Sequence, residues 1–466
     1  MKSNFIVIGA GPAGLACGYE LTRLIPGNRQ NIIVLEKNAL PGGLARSSTF
    51  RGRVYDIGPH RFYTKNMEVL RLWKKLLGRD FRRVKRHTRI FYKGKYFHYP
   101  LDMLDVIINI GVIESLKCLI SYAGAQIAYR GKESKTFEDW VIAHFGKRLY
   151  EMFFQSYTEK VWGIPCKEIA AKWASQRIKN LDFKELLLTA LHIRTTPNAK
   201  SLVKEFYYPK KGAGQMYRKI AEVIRRKNGK VALRSSVTRM RVKGDVIASV
   251  TYTKAGKEYT LPATEVFSSM PITSCIEALE PPPPKKVLLA SRSLRYRDHI
   301  TVNLLVKGNN IFPDQWIYIH DKQVKAARIA NYNNFSDRQS SLRQSALSVE
   351  YFVFRTDSLW RAKDEALIAF ATEELQRIGL LRHGAVIDGF VVREADSYPM
   401  YFVGYESHFA TVSRYLSSIR NLHLIGRGGM YKYNNMDHSM IDGLISARNM
   451  VHSGTMKQKE THDYLE

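Results

Sequence analysis

The join between the apolar run at residues 4–8 (NFIVI) and Gly9-Ala10-Gly11-Pro12-Ala13-Gly14 constrains this chain more than any other stretch. A short apolar run of this kind reads as a buried strand, and residues from Pro12 to about Leu24 read as a helix. A second apolar strand, NIIVLEK at 31–37, follows and brings Glu36 to its end, 22 residues beyond Gly14. Strand, glycine turn, helix and strand with a terminal acid is the context in which GxGxxG becomes a dinucleotide fingerprint. Gly9 allows the tight turn, Gly11 lets the backbone approach a pyrophosphate, and Gly14 lets the helix pack on the strands. The helix that begins at Pro12 and Ala13 offers free N–H groups and a partial positive charge to the phosphates. Glu36, followed by Lys37, can accept hydrogen bonds from ribose hydroxyls and would repel a 2′-phosphate.

Length and charge narrow the partners. The chain has 466 residues, about three times the ~150 residues of a common domain. Lys and Arg number 73 against 42 Asp and Glu, a formal net charge of +31. Such a field draws polyanions: nucleic acid, an anionic membrane or a diphosphate. No RRM signature or Cys/His finger pattern is present, so nucleic acid is not an expected partner. Cys17, Cys118, Cys166 and Cys275 form no CxxC pair, which argues against a zinc site or a disulfide framework and for reduced thiols. No metal is expected. The first apolar run is too short for a signal peptide, and the expected location is cytoplasmic.

Further along, residues 67–77 have helical spacing, a basic stretch runs from Arg79 to Arg89, and RIFYKGKYFHYP alternates like a hairpin turning at Gly94. Residues 101–129 are the most apolar segment, but Asp102, Asp105, Glu114 and Lys117 interrupt them. A spanning helix needs about 20 nearly uncharged residues, so one or two amphipathic helices are expected, with peripheral contact at the inner face of a membrane left open. Residues 136–190 continue helical, 231–270 return to strands, the PPPP run at 281–284 is a stiff break before a helix, and strands dominate 298–355. Residues 364–379 form an amphipathic helix, and the end is a strand, a glycine turn and a helix. The expected class is α/β: a Rossmann-like dinucleotide domain from segments 1–66, 205–272 and 415–453, a largely helical insert at 67–204, and a sheet-containing substrate domain at 273–414.

After Glu36 comes Pro41-Gly42-Gly43-Leu44-Ala45-Arg46, a second glycine pair with a following arginine. This resembles the GG motif of the two-dinucleotide-binding-domain flavoproteins, the superfamily of amine oxidases, phytoene desaturases, protoporphyrinogen oxidases and UDP-galactopyranose mutases. Leu424-Ile425-Gly426-Arg427 looks like its second FAD-contact region. Three stretches are similar to the mutase branch: Tyr55-Asp56-Ile57-Gly58-Pro59-His60-Arg61-Phe62-Tyr63-Thr64, Tyr157-Thr158-Glu159-Lys160-Val161-Trp162-Gly163, and Gly426 through Tyr431, Tyr433 and Asn434-Asn435 to Asp437. Ala327-Arg328-Ile329 and Tyr398-Pro399 are weaker matches. Without the family, the clustering of Arg and Tyr in glycine-punctuated loops already suits a nucleotide diphosphate, which guanidinium binds bidentately.

The resemblance implies bound FAD, contacted by Gly9, Gly11, Pro12, Ala13, Gly14, Glu36, Lys37, Gly43, Leu44, Arg46, His60, Val237, Gly426, Arg427 and Met436. It implies a pyranose/furanose isomerisation of a nucleotide sugar by reduced-flavin N5 attack on the anomeric carbon, with NAD(P)H as a candidate external reductant. Arg328 would hold the diphosphate with Tyr398 and Tyr433, His60 would sit against the flavin, and Arg427 would lie at its edge, making His60, Arg328 and Arg427 the catalytic candidates. Tyr157 and Trp162 would line the substrate cleft, and Arg177 would be a mobile-loop arginine. Asn434-Asn435 departs from the family's Tyr-Asp and Val161 from its Gln. A second reading therefore stands beside the first: an FAD-dependent oxidase or desaturase acting on an apolar substrate. Assembly into an oligomer is left open.

Overall fold

The computed structural model describes residues 3–25, 30–99, 101, 103–177, 204–336 and 343–453. Strand Ser3–Ile8 lies at the centre of a five-stranded parallel sheet, ordered Leu422–Leu424, Glu265–Ser268, Ser3–Ile8, Gln30–Leu35 and Lys230–Ala232. Phe5, Ile6, Val7 and Ile8 are all buried, as expected where helices or a second layer cover both faces of a parallel sheet and strands read as continuous apolar runs. One face carries helix Pro12–Leu24, helix Gly214–Arg226 and the C-terminal helix Met436–Ser453. Helix Gly214–Arg226 buries Met216, Tyr217, Ile220, Ala221 and Ile224, one face of a 3.6-residue period. The other face packs on a four-stranded sheet ordered Lys257–Pro262, Val246–Lys254, Ser236–Lys243 and Leu279–Glu280.

A seven-stranded sheet forms the second body of the molecule, in the order Val386–Pro399, Tyr296–Lys307, Gln344–Val353, Arg328–Asn331, Trp316–Ile319, Thr88–Tyr92 and Lys95–His98. It is antiparallel except where Trp316–Ile319 meets Thr88–Tyr92. Helix Asp364–Arg377 closes one side with Leu367, Ala371 and Leu375. The fold is α/β with mixed sheets, a Rossmann-like unit joined to a sheet-containing substrate region. Helices occupy much of 103–177 and share a core around Phe137, Val141, Phe153 and Trp162. The rest of the helical expectation, residues 178–190, lies outside the described residues.

Two elements assigned by sequence to the helical insert belong elsewhere. Helix Met67–Leu77 buries Val69, Leu72, Trp73 and Leu77 in the core of the Rossmann-like unit. The hairpin Thr88–His98 turns at Gly94 and extends the seven-stranded sheet. Its alternation recorded a strand pair but not the partner, because Trp316–Ile319 comes from far along the chain. Trp73 shows how these parts are tied: it stacks on Phe62 with ring centroids 4.0 Å apart, and its Nε1–H reaches Met440 Sδ at 3.1 Å. Truncation of Trp73 to Ala is expected to cost about 3–5 kcal/mol, read as a lowered urea midpoint with an unchanged transition slope.

Candidate active site

The glycine loop is built by close backbone approach. Gly9 has φ +96°, and a Cβ there would sit 2.2 Å from Ser269 Oγ. A Cβ on Gly14 would sit 1.9 Å from the Gly9 carbonyl oxygen, and one on Gly443 would sit 2.1 Å from that of Ala13. Gly443 thus lets the second turn of helix Met436–Ser453 pack directly on the first turn of helix Pro12–Leu24. Gly11 caps the first helix in an extended conformation, Pro12 opens it, and no side chain caps its N–H groups. The first-turn amides are left for an anion.

Glu36 is buried and fixes this loop: Oε2 accepts from the Ala10 N–H at 2.7 Å and Oε1 from the Asn38 N–H at 2.9 Å. Each carboxylate oxygen keeps a second lone pair for a ribose hydroxyl. Lys37 is exposed beside it. The second glycine pair folds back, with Gly42 N–H donating to the Ala10 carbonyl at 2.7 Å and Gly43 within the turn Gly43–Ala45 that carries Leu44. A Cβ on Gly43 would meet Gly11 Cα at 3.1 Å. Val237 is the second residue of strand Ser236–Lys243, two residues after Ser235, whose N–H donates to the Glu36 carbonyl. Gly426, φ +70°, is held by its N–H to the Asp442 carboxylate, and a Cβ there would lie 2.7 Å from Ala13 Cβ. Met436 opens the last helix. Gly9, Gly11, Gly14, Glu36, Gly43 and Gly426 are thus drawn together in one cradle, with Gly9, Gly14, Gly43 and Gly426 standing where a Cβ would press on neighbouring atoms.

Asp442 was not foreseen. It is buried, its Oδ1 has no hydrogen-bond partner, and burial pushes its carboxyl up to about 7 against the opposing pull of the Gly426 N–H and Lys432. Arg46, expected at the cofactor, donates to the Gly43 carbonyl at 3.0 Å and pairs with Glu394 of strand Val386–Pro399. It therefore clamps the glycine turn to the seven-stranded sheet.

The second half of the site lies where that sheet meets the cradle. Arg328 donates from Nε to Glu350 Oε1 at 2.6 Å and from Nη2 to Oε2 at 2.5 Å. Burial alone would raise the Glu350 carboxyl, but Arg328, aided by His299 at 3.0 Å, outweighs it and holds it down at about 2. Gly58, φ +73°, passes so close that a Cβ would lie 2.4 Å from Glu350 Oε2, and this seats the loop that carries His60. The His60 Nδ1–H donates to the Gly58 carbonyl at 3.0 Å. Burial, then the nearby Arg328 and Arg427 charges, push its pKa down to about 4.

Arg427 lies 4.9 Å from the ring centroids of both Tyr398 and Tyr433, which stack on each other at 5.4 Å. Its Nη2 donates to the Asn434 main-chain carbonyl at 2.8 Å, so the departure from the family's residue at 434 leaves this anchor intact. Tyr157 stacks on His320 at 4.8 Å, and its phenol, raised mainly by burial, feels Arg328, Glu350 and Tyr433. His60, Tyr157, Arg328, Tyr398, Arg427 and Tyr433 are thus brought together. Trp162 is not on an open wall: it is 2 % exposed, packed behind Tyr433 against Trp173 and Tyr401. Arg177 ends helix Ala171–Arg177, and its side chain lies outside the described residues. Sequence reasoning also missed Glu350, although a lone acid inside the apolar strand Gln344–Val353 was its signal.

Two outcomes are expected. Gly14→Val, forcing a side chain into the Gly9 carbonyl, yields folded protein without visible flavin absorbance. The His60 pKa, about 4, lies below its ordinary 6.5, so the unfolded chain takes up this proton first as pH falls. The stability due to neutral His60 is complete above about pH 6.5 and lost between about 6.5 and about 4. Urea midpoints across that window should fall less in His60→Gln than in the unsubstituted protein.

The chain shares this architecture with flavoenzymes of known structure. It superposes on a reduced UDP-galactopyranose mutase with TM-score 0.81 and 18% identity, covering 99% of this chain and 96% of that one. Cyclohexylamine oxidase from Brevibacterium oxydans gives TM-score 0.65 and 15% identity over 97% and 99% of the two chains. In sequence, a probable UDP-galactopyranose mutase of Klebsiella pneumoniae is 25% identical over 177 residues, 36% of this chain and 44% of that relative's length. The family description "flavin containing amine oxidoreductase" matches residues 12–450. With the glycine cradle and the second half of the site in place, the chain belongs to the flavin-containing amine oxidoreductase family.

Proposed function

We propose that this chain is an FAD-dependent enzyme that interconverts the pyranose and furanose forms of a nucleotide-diphosphate sugar. The observation that carries the reading is the gathering of Arg328, Tyr157, Tyr398, Tyr433 and Arg427 beside the His60 loop, at the meeting of the cradle and the seven-stranded sheet. Glu36 and the uncapped first helix suit the ribose and diphosphate of FAD, and the orphaned Asp442 Oδ1 offers an acceptor or acid at the same helix mouth. When bound in reduced form, the flavin supplies the nucleophile for the anomeric carbon, with NAD(P)H as a candidate source of its electrons.

The residues of the chain position and stabilise. Arg328 has committed Nε and Nη2 to Glu350, leaving Nη1 to donate to a phosphoryl oxygen of the leaving diphosphate. Burial keeps the phenols of Tyr157 and Tyr398 protonated at neutral pH, so both donate single hydrogen bonds. His60 stays neutral and adds no positive charge beside the cofactor. The isomerisation carries no net redox: the diphosphate leaves with the anomeric C–O bonding pair, a sugar hydroxyl supplies the pair that closes the new ring, and the diphosphate returns its pair to the anomeric carbon as the nucleophile would depart with its own. Catalysis of this kind rests on orientation and on hydrogen bonds that strengthen as charge develops on the leaving group.

One observation favours a second reading, an oxidoreductase acting on an apolar substrate. The fork of Arg328 is already matched by a buried carboxylate, and aromatic rings form much of the surrounding wall. Dithionite-reduced protein incubated with UDP-galactopyranose should form the furanose if the first reading holds. Absence of conversion and of UDP binding, together with flavin reoxidation coupled to an apolar substrate, would establish the second. In the first case Arg328→Lys, which keeps the charge and loses the planar fork, should weaken UDP binding by about tenfold while visible flavin absorbance is retained, as titration of the intrinsic fluorescence would show.

A further inference from the structure

The helical region opens with a bent pair. Helix Met103–Ile110 and helix Val112–Ala128 meet at Gly111, φ +85°, with a bend of 119°. The second helix is apolar on two sides. Cys118 and Ala125 face the protein core, while Ile113, Leu116, Ile120 and Ile127 recur at helical spacing on the solvent side. The exposed aliphatics run from the apex, where Ile108 is 79 %, Val112 77 % and Ile113 75 % exposed, along the helix to Ile127 at 81 %. A contiguous aliphatic surface of this kind marks an interaction site.

Its rim is basic. Lys117 lies on the second helix itself, and Arg148, with exposed Lys147 beside it, reaches Glu114 on that helix. Lys95 of the neighbouring hairpin, next to exposed Lys93, donates to the Asn109 carbonyl at the end of the first helix. Arg130 and Lys132 follow the second helix, both exposed. Among the described residues the nearby acids are Asp105, bonded to Asn109 and the His98 N–H, Glu114, paired with Arg148 and Lys117, Glu151, 4.0 Å from Lys147, and exposed Glu133, so the basic groups outnumber them. Two copies packed apex to apex would set these like-charged rims against each other, whereas an anionic bilayer complements both the aliphatic apex and the rim.

We propose that the bent pair seats the enzyme on an anionic lipid bilayer, with Ile108, Val112, Ile113, Leu116 and Ile120 entering the acyl boundary and the surrounding lysines and arginines meeting the headgroups. The mode is interfacial. No single helix among the described residues is long and apolar enough to cross a membrane, and the 17 residues of the second helix span only about 26 Å.

The test uses the full-length flavoprotein and sedimentation with vesicles, either equal parts phosphatidylcholine and phosphatidylglycerol or phosphatidylcholine alone. The protein should pellet with the mixed vesicles and much less with the neutral ones. The double substitution Ile113→Asp/Ile120→Asp, at exposed positions, should weaken that binding by roughly tenfold or more, with circular dichroism and flavin absorbance unchanged. Protein that stays in the supernatant with mixed vesicles overturns the proposal, as does a double variant that binds like the unsubstituted chain. Self-association abolished by the same double substitution, without vesicle binding, would assign the face to a second copy instead.

Discussion

The first helix and the last touch backbone to backbone at Ala13 and Gly443, and the rest of the molecule is arranged around that contact. Ala13 of the first helix lies so close to Gly426 and Gly443 that no side chain could stand at either glycine. A dinucleotide site needs this approach because its ligand is recognised by main-chain N–H groups, which project only a short way beyond the helix axis. The parallel sheet supplies the rigid base: its five strands come from widely separated segments, so the intervening chain is free to build the helical region and the seven-stranded sheet. The Rossmann-like unit is thereby complete only when the last helix has docked.

Charge in the second half of the site is handled locally. Arg328 and Glu350 form a buried pair whose formal charges cancel, and such a pair is held by geometry more than it stabilises the fold. On the nucleotide-sugar reading, the diphosphate would be met mainly by oriented donors, while the formal +31 of the whole chain acts at longer range on encounter. Long-range field and short-range orientation are then separate tasks, carried by different residues.

Much of this was legible in the sequence where the information is local. The GxGxxG turn, the acid at 36, the hairpin around Gly94 and the final strand-turn-helix all depend on neighbours within one or two elements, and periodicity or glycine placement records them. Glu350 was hidden because a buried acid announces itself only once its partner is known, and Arg328 lies on a different strand. Trp162 illustrates the converse: the motif marked the residue, but only packing against Trp173 and Tyr401 shows that it supports Tyr433 from behind. Helix Met67–Leu77 was recognised as a helix and assigned to the wrong neighbour, since an amphipathic stripe states that a face is buried without naming the surface that buries it.

The two amide bonds accepted by Glu36 have a kinetic consequence. Because Ala10 and Asn38 already hold the carboxylate in place, the acid that would receive the ribose does not have to be ordered when the cofactor arrives. A receptor set in advance loses little conformational entropy on loading. Retention would then be governed by the escape of the whole dinucleotide from its groove, with no gating by refolding of the glycine loop, and a slow exchange of cofactor is what such a rigid seat produces.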